Sequence, residues 1–341
     1  MGLFNFFSSD IAIDLGTTNT LIFHKDKIVV NEPSIIAIDK SNNKVLAIGR
    51  EAMQMHEKTH ENIKTIKPLK DGVIADFHAV EKMIGGMIKM IKNKRSLLPY
   101  SYRMVICIPC GITEVEKRAV RDSVEHEGAK EMYMIYEPIA AALGIGIDIK
   151  RPVGSMVVDI GGGTTEIAVI ALSGIVCNQS LRIAGEALTM NILDYMRRQH
   201  NLLIGERSAE QMKIEVGSAL TELDDPPDDY EIKGRDLMTG IPKVMNISYS
   251  EIAFAIDKTV SKIEESVLNV LEMCLPELSS DIYNNGIHLI GGGALLRGLD
   301  KRFALKTRLP IHVADDPLRS VVRGAGLVLK NLKEYREILI T

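Results

Sequence analysis

The chain has no tryptophan, and only seven phenylalanines and nine tyrosines among 341 residues. Proteins that hold single-stranded nucleic acid stack bases on such rings, so that class is disfavoured. Positive charge is also short: 41 Lys and Arg against 45 Asp and Glu leave a net charge of −4. Binding driven by phosphate neutralisation needs the opposite excess. Cysteine is scarce, with four in all: Cys107, Cys110, Cys177 and Cys274. Cys107 and Cys110 form a C-x-x-C, but no second pair or nearby histidine completes a zinc site. Cys107 sits in the apolar run MVICIP and reads as strand core. The cysteines are expected to be reduced thiols of a cytosolic protein. No apolar run approaches the ~18 residues that span a bilayer. The N-terminus lacks the basic region and small-residue cleavage site of a secretory signal. A protein made and kept in the cytoplasm is expected.

Hydrophobic residues make up 46% and charged residues 25%, enough to build a large core. The length suggests about two domains, on a prior of roughly 100–200 residues each. The most informative stretch is VVDIGGGTTEIAVI, residues 157–170. It reads as an apolar strand, a glycine turn with two threonines, and a second apolar strand. Gly161, Gly162 and Gly163 let the backbone approach a ligand where any Cβ would collide. Successive turn amides can point at phosphate oxygens. Asp159 ends the first strand beside that turn, where a carboxylate can hold a metal through water. Taken alone, the stretch is equally a plain hairpin. A second stretch, IAIDLGTTNT at residues 11–20, has the same order of strand, Asp14, Gly16, Thr17 and Thr18. Two D-x-G hairpins suggest a duplicated fold with phosphates clamped between its halves.

Several elements follow from pattern. Residues 79–92 have helical periodicity, with Val80, Met83, Ile84, Met87, Ile88 and Ile91 on one face. Thr113 and Glu116 form a capping box. Residues 132–146 pass from a strand into a small-residue helix, with Glu137 and Pro138 at the junction. Ala140, Ala141 and Ala142 permit a close helix crossing between domains. Ser208 is expected to cap a helix at 209–220, and Ser250 to start a long helix ending near Met273. Residues 276–285 read as a link, and residues 27–38 as a strand pair. Gly291, Gly292 and Gly293 form a third glycine turn, feeding a helix with Leu295, Leu296 and Leu299. A closing helix spans 315–330. Its mid-helix Gly324 and Gly326 cost ~1 kcal/mol each relative to alanine, which points to close helix approach.

Two apolar features stay open. Phe4, Phe6 and Phe7 crowd the start, either as a segment docked on the core or as an interfacial membrane anchor. Leu97 and Leu98 lie in a loop rimmed by Lys92, Lys94 and Arg95. They either fold back onto the domain or form a hydrophobic tip suited to an anionic bilayer.

The three glycine turns, two strand-end aspartates and one junction glutamate make a coherent set for a triphosphate. Mg²⁺ keeps most of its waters and accepts one or two carboxylates, a task that suits Asp14 and Asp159. Hydrolysis needs a water in line with the γ-phosphate. Glu137, helped by the Thr164 hydroxyl, is the candidate to orient it. Glu210 and Lys213, three apart on one helix face, are either a surface ion pair or flank a ribose and base.

The stretches IAIDLGTTNT, YEPIAAALG, VVDIGGGTTEIAVI and LIGGGALLRGLD occur in the order of the phosphate, connecting and adenosine motifs of the actin, sugar-kinase and heat-shock-chaperone ATPase superfamily. Within it the chain resembles the MreB family of bacterial actin homologues, nearly end to end. IKPLKDGVIADF, CIPCGITEVEKRAV, KIEVGSA and DPLRSVVRGAG carry that closer resemblance. It implies an α/β actin-like ATPase fold: two related domains, each a β-sheet flanked by helices, around a nucleotide cleft. Four subdomains are implied: IA at 1–31, 73–144 and 315–341; IB at 32–72; IIA at 145–181 and 247–314; IIB at 182–246.

The resemblance also implies ATP and Mg²⁺ as cofactors. Asp14 and Asp159 would attend the metal. Gly16, Thr17, Thr18 and Asn19, with Gly161, Gly162 and Gly163, would hold phosphates. Glu137 and Thr164 would handle the attacking water, with Asp159 beside them. Glu210 and Lys213 would meet ribose and base, and Gly291, Gly292, Gly293 and Leu295 the adenosine. Further implications are filaments of paired antiparallel protofilaments on the inner face of the cytoplasmic membrane, and no nucleic acid. The filaments would engage membrane proteins of the cell-wall elongation machinery and so maintain rod shape. Phe4, Phe6, Phe7, Leu97 and Leu98 fall where the family's membrane contacts belong.

A chaperone ATPase shares DLGTTN and the GGGT hairpin, but needs a further substrate-binding domain for which a chain ending at Thr341 leaves no room. A sugar or acetate kinase would show an added polar pocket set, and none is assignable. A shape-control paralogue or an organelle-aligning filament would carry the same nucleotide site.

Overall fold

The apolar runs that end in Asp14 and Asp159 form two central strands around which the other elements pack. The computed structural model describes residues 8–91, 101–126 and 128–340. The first half begins with β1 (Ser8–Leu15), β2 (Asn19–His24), β3 (Lys27–Pro33), β4 (Ile36–Asp39) and β5 (Val45–Ile48). Then come α1 (Arg50–Met55), β6 (Ile63–Ile66), β7 (Leu69–Lys70), β8 (Val73–Ile74) and α2 (Phe77–Ile91). It closes with β9 (Ser101–Ile108), α3 (Glu114–Glu125), β10 (Ala129–Tyr136) and α4 (Glu137–Gly144). The second half opens with β11 (Ser155–Ile160), β12 (Thr165–Ala171), β13 (Gly174–Leu181), α5 (Gly185–Gln199) and β14 (Leu202–Leu203). It continues through α6 (Glu206–Val216), β15 (Tyr230–Asp236), β16 (Pro242–Ile247), α7 (Tyr249–Met273) and α8 (Pro276–Asn285). The last elements are β17 (Ile287–Ile290), α9 (Leu299–Thr307), β18 (Ile311–Val313) and α10 (Ser320–Lys330).

The two large sheets repeat one topology. Their strand orders are β10-β9-β1-β2-β3 and β13-β12-β11-β17-β18. In each, three strands form an antiparallel meander, and the first of them pairs in parallel with a later strand. Asp14 and Asp159 occupy equivalent positions, near the end of β1 and of β11. The duplication expected from the two hairpins is therefore present in the strand order itself. A small sheet flanks each lobe: β5-β4-β6 in the first half and β14-β15-β16 in the second.

Three large cores hold the described residues together, with a small fourth around Ile35, Ala37, Ala47 and Ala52 between α1 and the β5-β4-β6 sheet. One lies under the first sheet and α2, and one under the second sheet and α7. The third lies between the sheets and takes residues from both: Ala12, Val105 and Ile135 from one, Val157, Ala168 and Ile290 from the other. Helices α4 and α10 cross within it. A Cβ on Gly324 would strike the Ala140 carbonyl oxygen, and one on Gly144 the Ser320 carbonyl oxygen. The alanine run and the mid-helix glycine are thus two sides of one close crossing. Gly326 instead faces the ring of Phe23.

Some expectations shift. Residues 27–38 are not a strand pair. Pro33 ends β3, and the chain crosses to the small sheet at Ser34, whose hydroxyl donates to the Gly16 carbonyl oxygen at 2.6 Å. Residues 276–285 are helix α8, with Pro276 in the first turn, where its missing N–H is harmless. Helix α7 starts at Tyr249 because Ser248, rather than Ser250, makes a capping box with Glu251. The third glycine turn leads into a short 3₁₀ segment, Gly292–Leu295, before α9 begins. The closing helix starts at Ser320, after a 3₁₀ turn at Pro317–Arg319. Helix α6 begins at Glu206, ahead of the expected Ser208 cap. Its cap comes from the other half of the chain, a partner that local sequence does not reveal. The Thr113–Glu116 capping box forms as expected.

Candidate functional site

Both hairpin turns bring backbone into close contact. At Gly16 a Cβ would lie 2.6 Å from the Asn19 carbonyl oxygen, so the first turn closes only on glycine. A Cβ on Gly162 would collide with Thr18, and one on Gly163 would lie 3.0 Å from both Asp71 Cα and Gly72 N. The Gly72 N–H donates to Thr17 Oγ1 at 3.0 Å. The two jaws and the Asp71–Gly72 turn therefore touch one another. The third glycine turn packs beside them: Gly291, at φ 77°, lies against the Asp159 carboxylate, and Gly293 against Ile160.

These turns enclose one cleft of about 570 Å³. Small-molecule sites run roughly 300–1,000 Å³. Its walls include Asp14, Gly16, Thr17, Thr18, Asn19, Glu137, Asp159, Gly161, Gly162, Gly163 and Thr164. Glu210, Lys213, Gly291, Gly292, Gly293 and Leu295 complete that set. All the cleft residues nominated from sequence are thus brought together. Glu210 and Lys213 line the cleft and also pair with each other at 2.7 Å. The Lys213 ammonium donates in addition to the Gly185 carbonyl oxygen at 2.8 Å and to Thr189 Oγ1 at 3.0 Å. Phe4, Phe6, Phe7, Leu97 and Leu98 lie outside the described residues.

The electrostatics are set by carboxylates. Burial raises the proton affinity of Asp14, giving a pKa of about 7. Burial, then the charges of Asp14 and Glu166, bring Asp159 to about 7 as well. Glu137 is pushed well above the usual range by burial, then by Glu166, Asp14 and Asp159. Glu166 is itself raised by burial, although Ser180 Oγ–H and the Cys110 N–H, at 3.0 Å, donate to it. Two strand-end carboxylates that ionise reluctantly in one cleft suit a hard divalent cation, which would favour their charged form. Among the described residues no group of three or more His, Cys, Asp or Glu side chains forms a ready metal cage. Such a cation would rely on this pair, water and phosphate oxygens.

A pH dependence follows. With Asp159 raised from 3.8 to about 7, the folded state holds a proton through a window where the unfolded chain has lost it. Stability conferred by that proton is lost as pH rises through about 7. The ligand-free chain should melt at lower temperature at pH 8 than at pH 5.5. Asp159→Asn should flatten the dependence by a few kcal/mol at most, each pKa unit being worth about 1.4 kcal/mol. Melting curves at constant ionic strength check this, and a variant with an unchanged pH slope contradicts it.

Sequence reading missed several participants. The Asp71–Gly72 turn was signalled by its Asp-Gly dipeptide. Glu166, 1% exposed in a strand otherwise made of apolar residues and Thr165, was signalled by the cost of burying a carboxylate there. Glu186, a half-buried residue of the cleft wall, carried no local signal.

The family model described as MreB/Mbl protein matches residues 8–337. The chain belongs to the MreB/Mbl family. It is 46% identical over 329 residues to the cell shape-determining protein MreB of Escherichia coli (strain K12), covering 95% of this chain and 94% of that protein. It is 45% identical over 327 residues to the cell shape-determining protein Mbl of Bacillus subtilis (strain 168), covering 96% and 97%. The fold matches the crystal structure of MreB 5 of Spiroplasma citri bound to AMPPNP with a TM-score of 0.90 at 36% identity, covering 97% of this chain and 98% of that one. As an MreB/Mbl protein it is an actin-like, ATP-binding member of the bacterial cytoskeleton, of the kind that polymerises and controls rod shape. Family membership implies ATPase activity. No described helix is long and apolar enough to cross a membrane.

Proposed function

We propose that the chain hydrolyses ATP in this cleft and couples the nucleotide state to filament assembly on the inner face of the cytoplasmic membrane. The observation that carries this reading is the meeting of two D-x-G hairpins across one cleft, with Glu137 among their carboxylates. The amides and hydroxyls of Thr17, Thr18 and Asn19, with the amides of Gly161, Gly162 and Gly163, cradle phosphates. Glu210 and Lys213 flank the ribose and base, and Gly291, Gly292, Gly293 and Leu295 bound the adenosine. Adenine is supported by a related MreB 5 structure bound to AMPPNP and another bound to ADP. Asp14 and Asp159 would hold Mg²⁺, which when bound offsets charge on the phosphate oxygens.

Glu137 opens α4 at the strand-to-helix junction. From there it orients the attacking water together with the Thr164 hydroxyl. Burial and the neighbouring carboxylates raise its proton affinity, which makes its ionised form a stronger base toward that water.

The four-subdomain division stated above is part of this reading. It is supported by the small β5-β4-β6 sheet falling within 32–72 and by the β14-β15-β16 sheet ending within one residue of 246. Filaments of paired antiparallel protofilaments would contact the bilayer through Phe4, Phe6, Phe7, Leu97 and Leu98. Weak contacts repeated along a polymer gain strength by avidity. On the membrane they would guide proteins of the cell-wall elongation machinery.

Sedimentation with ATP and liposomes tests the proposal: polymer should pellet and carry lipid with it. Removing residues 1–7 and replacing Leu97 and Leu98 by serine should free the polymer from lipid without stopping assembly. Assembly lost in that variant assigns the five residues to the core instead.

A further inference from the structure

Helix α6 carries Glu210 and Lys213 into the cleft, yet its own N-terminus is held by the other half of the chain. The first amides of a helix have no partner within it, and Gly205 at the cap position brings no side chain. Glu57, beyond the end of α1, fills that role: its Oε1 accepts the Glu206 N–H at 3.0 Å. A Cβ on residue 205 would lie 2.6 Å from Glu57 Oε2, so the glycine makes room for the carboxylate. Glu57 sits at φ 60°, a region that non-glycine residues rarely adopt.

The Glu206 side chain makes the second half of the contact. It pairs with Lys67 Nζ and lies 3.6 Å from His56 Nε2. The His56 ring is held by its Nδ1 against Thr65 Oγ1 at 2.9 Å. Burial acts to raise the proton affinity of Glu206, but Lys67 and His56 outweigh it and hold the carboxyl below its ordinary range. Each side of this contact leads to the nucleotide cleft. Glu206 precedes Glu210 by one helical turn. Lys67 lies four residues before Asp71 and five before Gly72, which meet Thr17 and Gly163.

We propose that Glu57, Lys67 and His56 clasp Glu206 and the α6 N-terminus across the mouth of the cleft, and that this clasp sets how fast nucleotide leaves. The inference rests on the nucleotide reading above. The four side chains are positioning residues, and none of them lines the cleft. Opening the lobes far enough to release a ligand breaks the Lys67–Glu206 pair and uncaps α6 in the same motion. The paired side chains are 22–33% exposed, so the clasp is weak enough to open repeatedly.

Stopped-flow release of a fluorescent ATP analogue, on chains kept below the concentration of assembly, tests it. Lys67→Glu and Glu206→Lys should each speed release roughly three- to tenfold. The double reversal should restore most of the original rate, which a merely structural disturbance would not. Glu57→Gln should give a smaller acceleration. Hydrolysis of bound nucleotide should stay within about twofold throughout, since transition-state contacts are untouched. Melting temperatures confirm that the variants are folded. Unchanged release in Lys67→Glu, or a double reversal no slower than the single variants, overturns the clasp while leaving nucleotide binding intact. An unaltered chain that binds no nucleotide overturns the nucleotide reading, and the clasp with it.

Discussion

Glu137→Ala should slow ATP hydrolysis by about 10²–10⁴-fold, the usual worth of a positioned general base, and leave ATP binding within a few-fold. The carboxyl is close enough to Asp14 and Asp159 for their charges to raise its proton affinity. Removing it adds no negative charge to the cleft, so binding has no electrostatic reason to weaken. Glu137→Gln keeps the shape and loses the base, and should lose nearly as much rate. Phosphate release under single turnover reads the chemical step, and equilibrium titration of a fluorescent analogue reads binding. A variant that no longer binds would place Glu137 in the architecture of the cleft rather than in its chemistry. In the reading proposed here, the hydrolysis-deficient chain assembles with ATP and its filaments persist.

Gly324→Ala should destabilise the fold by about 3 kcal/mol or more, at or beyond the upper end of the range for overpacked cores. The added methyl would overlap the Ala140 carbonyl oxygen, and Gly144 N would lie 2.9 Å away. Both obstacles are backbone, so no side-chain rotation relieves them. The helices must part, and α4 carries Glu137 at its other end. A melting temperature lower by roughly 5–10 °C is expected for a chain of this size. Two controls separate sterics from the general cost of changing glycine. Gly326→Ala meets the Phe23 ring first, a side chain rather than backbone, and gains up to ~1 kcal/mol of helix propensity. Gly146→Ala meets nothing within 4 Å, but its φ of 85° makes alanine strained. If Gly324→Ala melts no lower than these two, the tight crossing of α4 and α10 is not what stabilises this part of the fold.

The cleft was legible because its chemistry needs residues with few substitutes. A backbone that must approach phosphate needs glycine, and a carboxylate at a strand end stands out in an apolar run. Glu137 was legible only as the carboxylate at a strand-to-helix junction, taken together with the glycine turns and the two aspartates. Helix starts were less so. Ser248 and Ser250 are both plausible caps two residues apart, and only the Glu251 bond selects the first. Residues 276–285 read as a link but form helix α8, since proline is tolerated in a first turn.

By itself the sequence determined the duplicated α/β plan, the two D-x-G hairpins, the small-residue helix crossing and the family. Each is written in local pattern: strand runs, Gly-Gly-Gly, Asp-x-Gly, and Ala140 to Ala142 answered by Gly324. Tertiary structure alone decided what meets what. It brought Glu166 close enough to Glu137 to raise its proton affinity, and set Gly291 against Asp159. It also capped α6 with a carboxylate 149 residues away. Periodicity records which face of an element is buried, but carries no record of the partner. The proton affinities of the cleft follow from burial and from charges gathered from both lobes, so they exist only once the lobes have closed on each other.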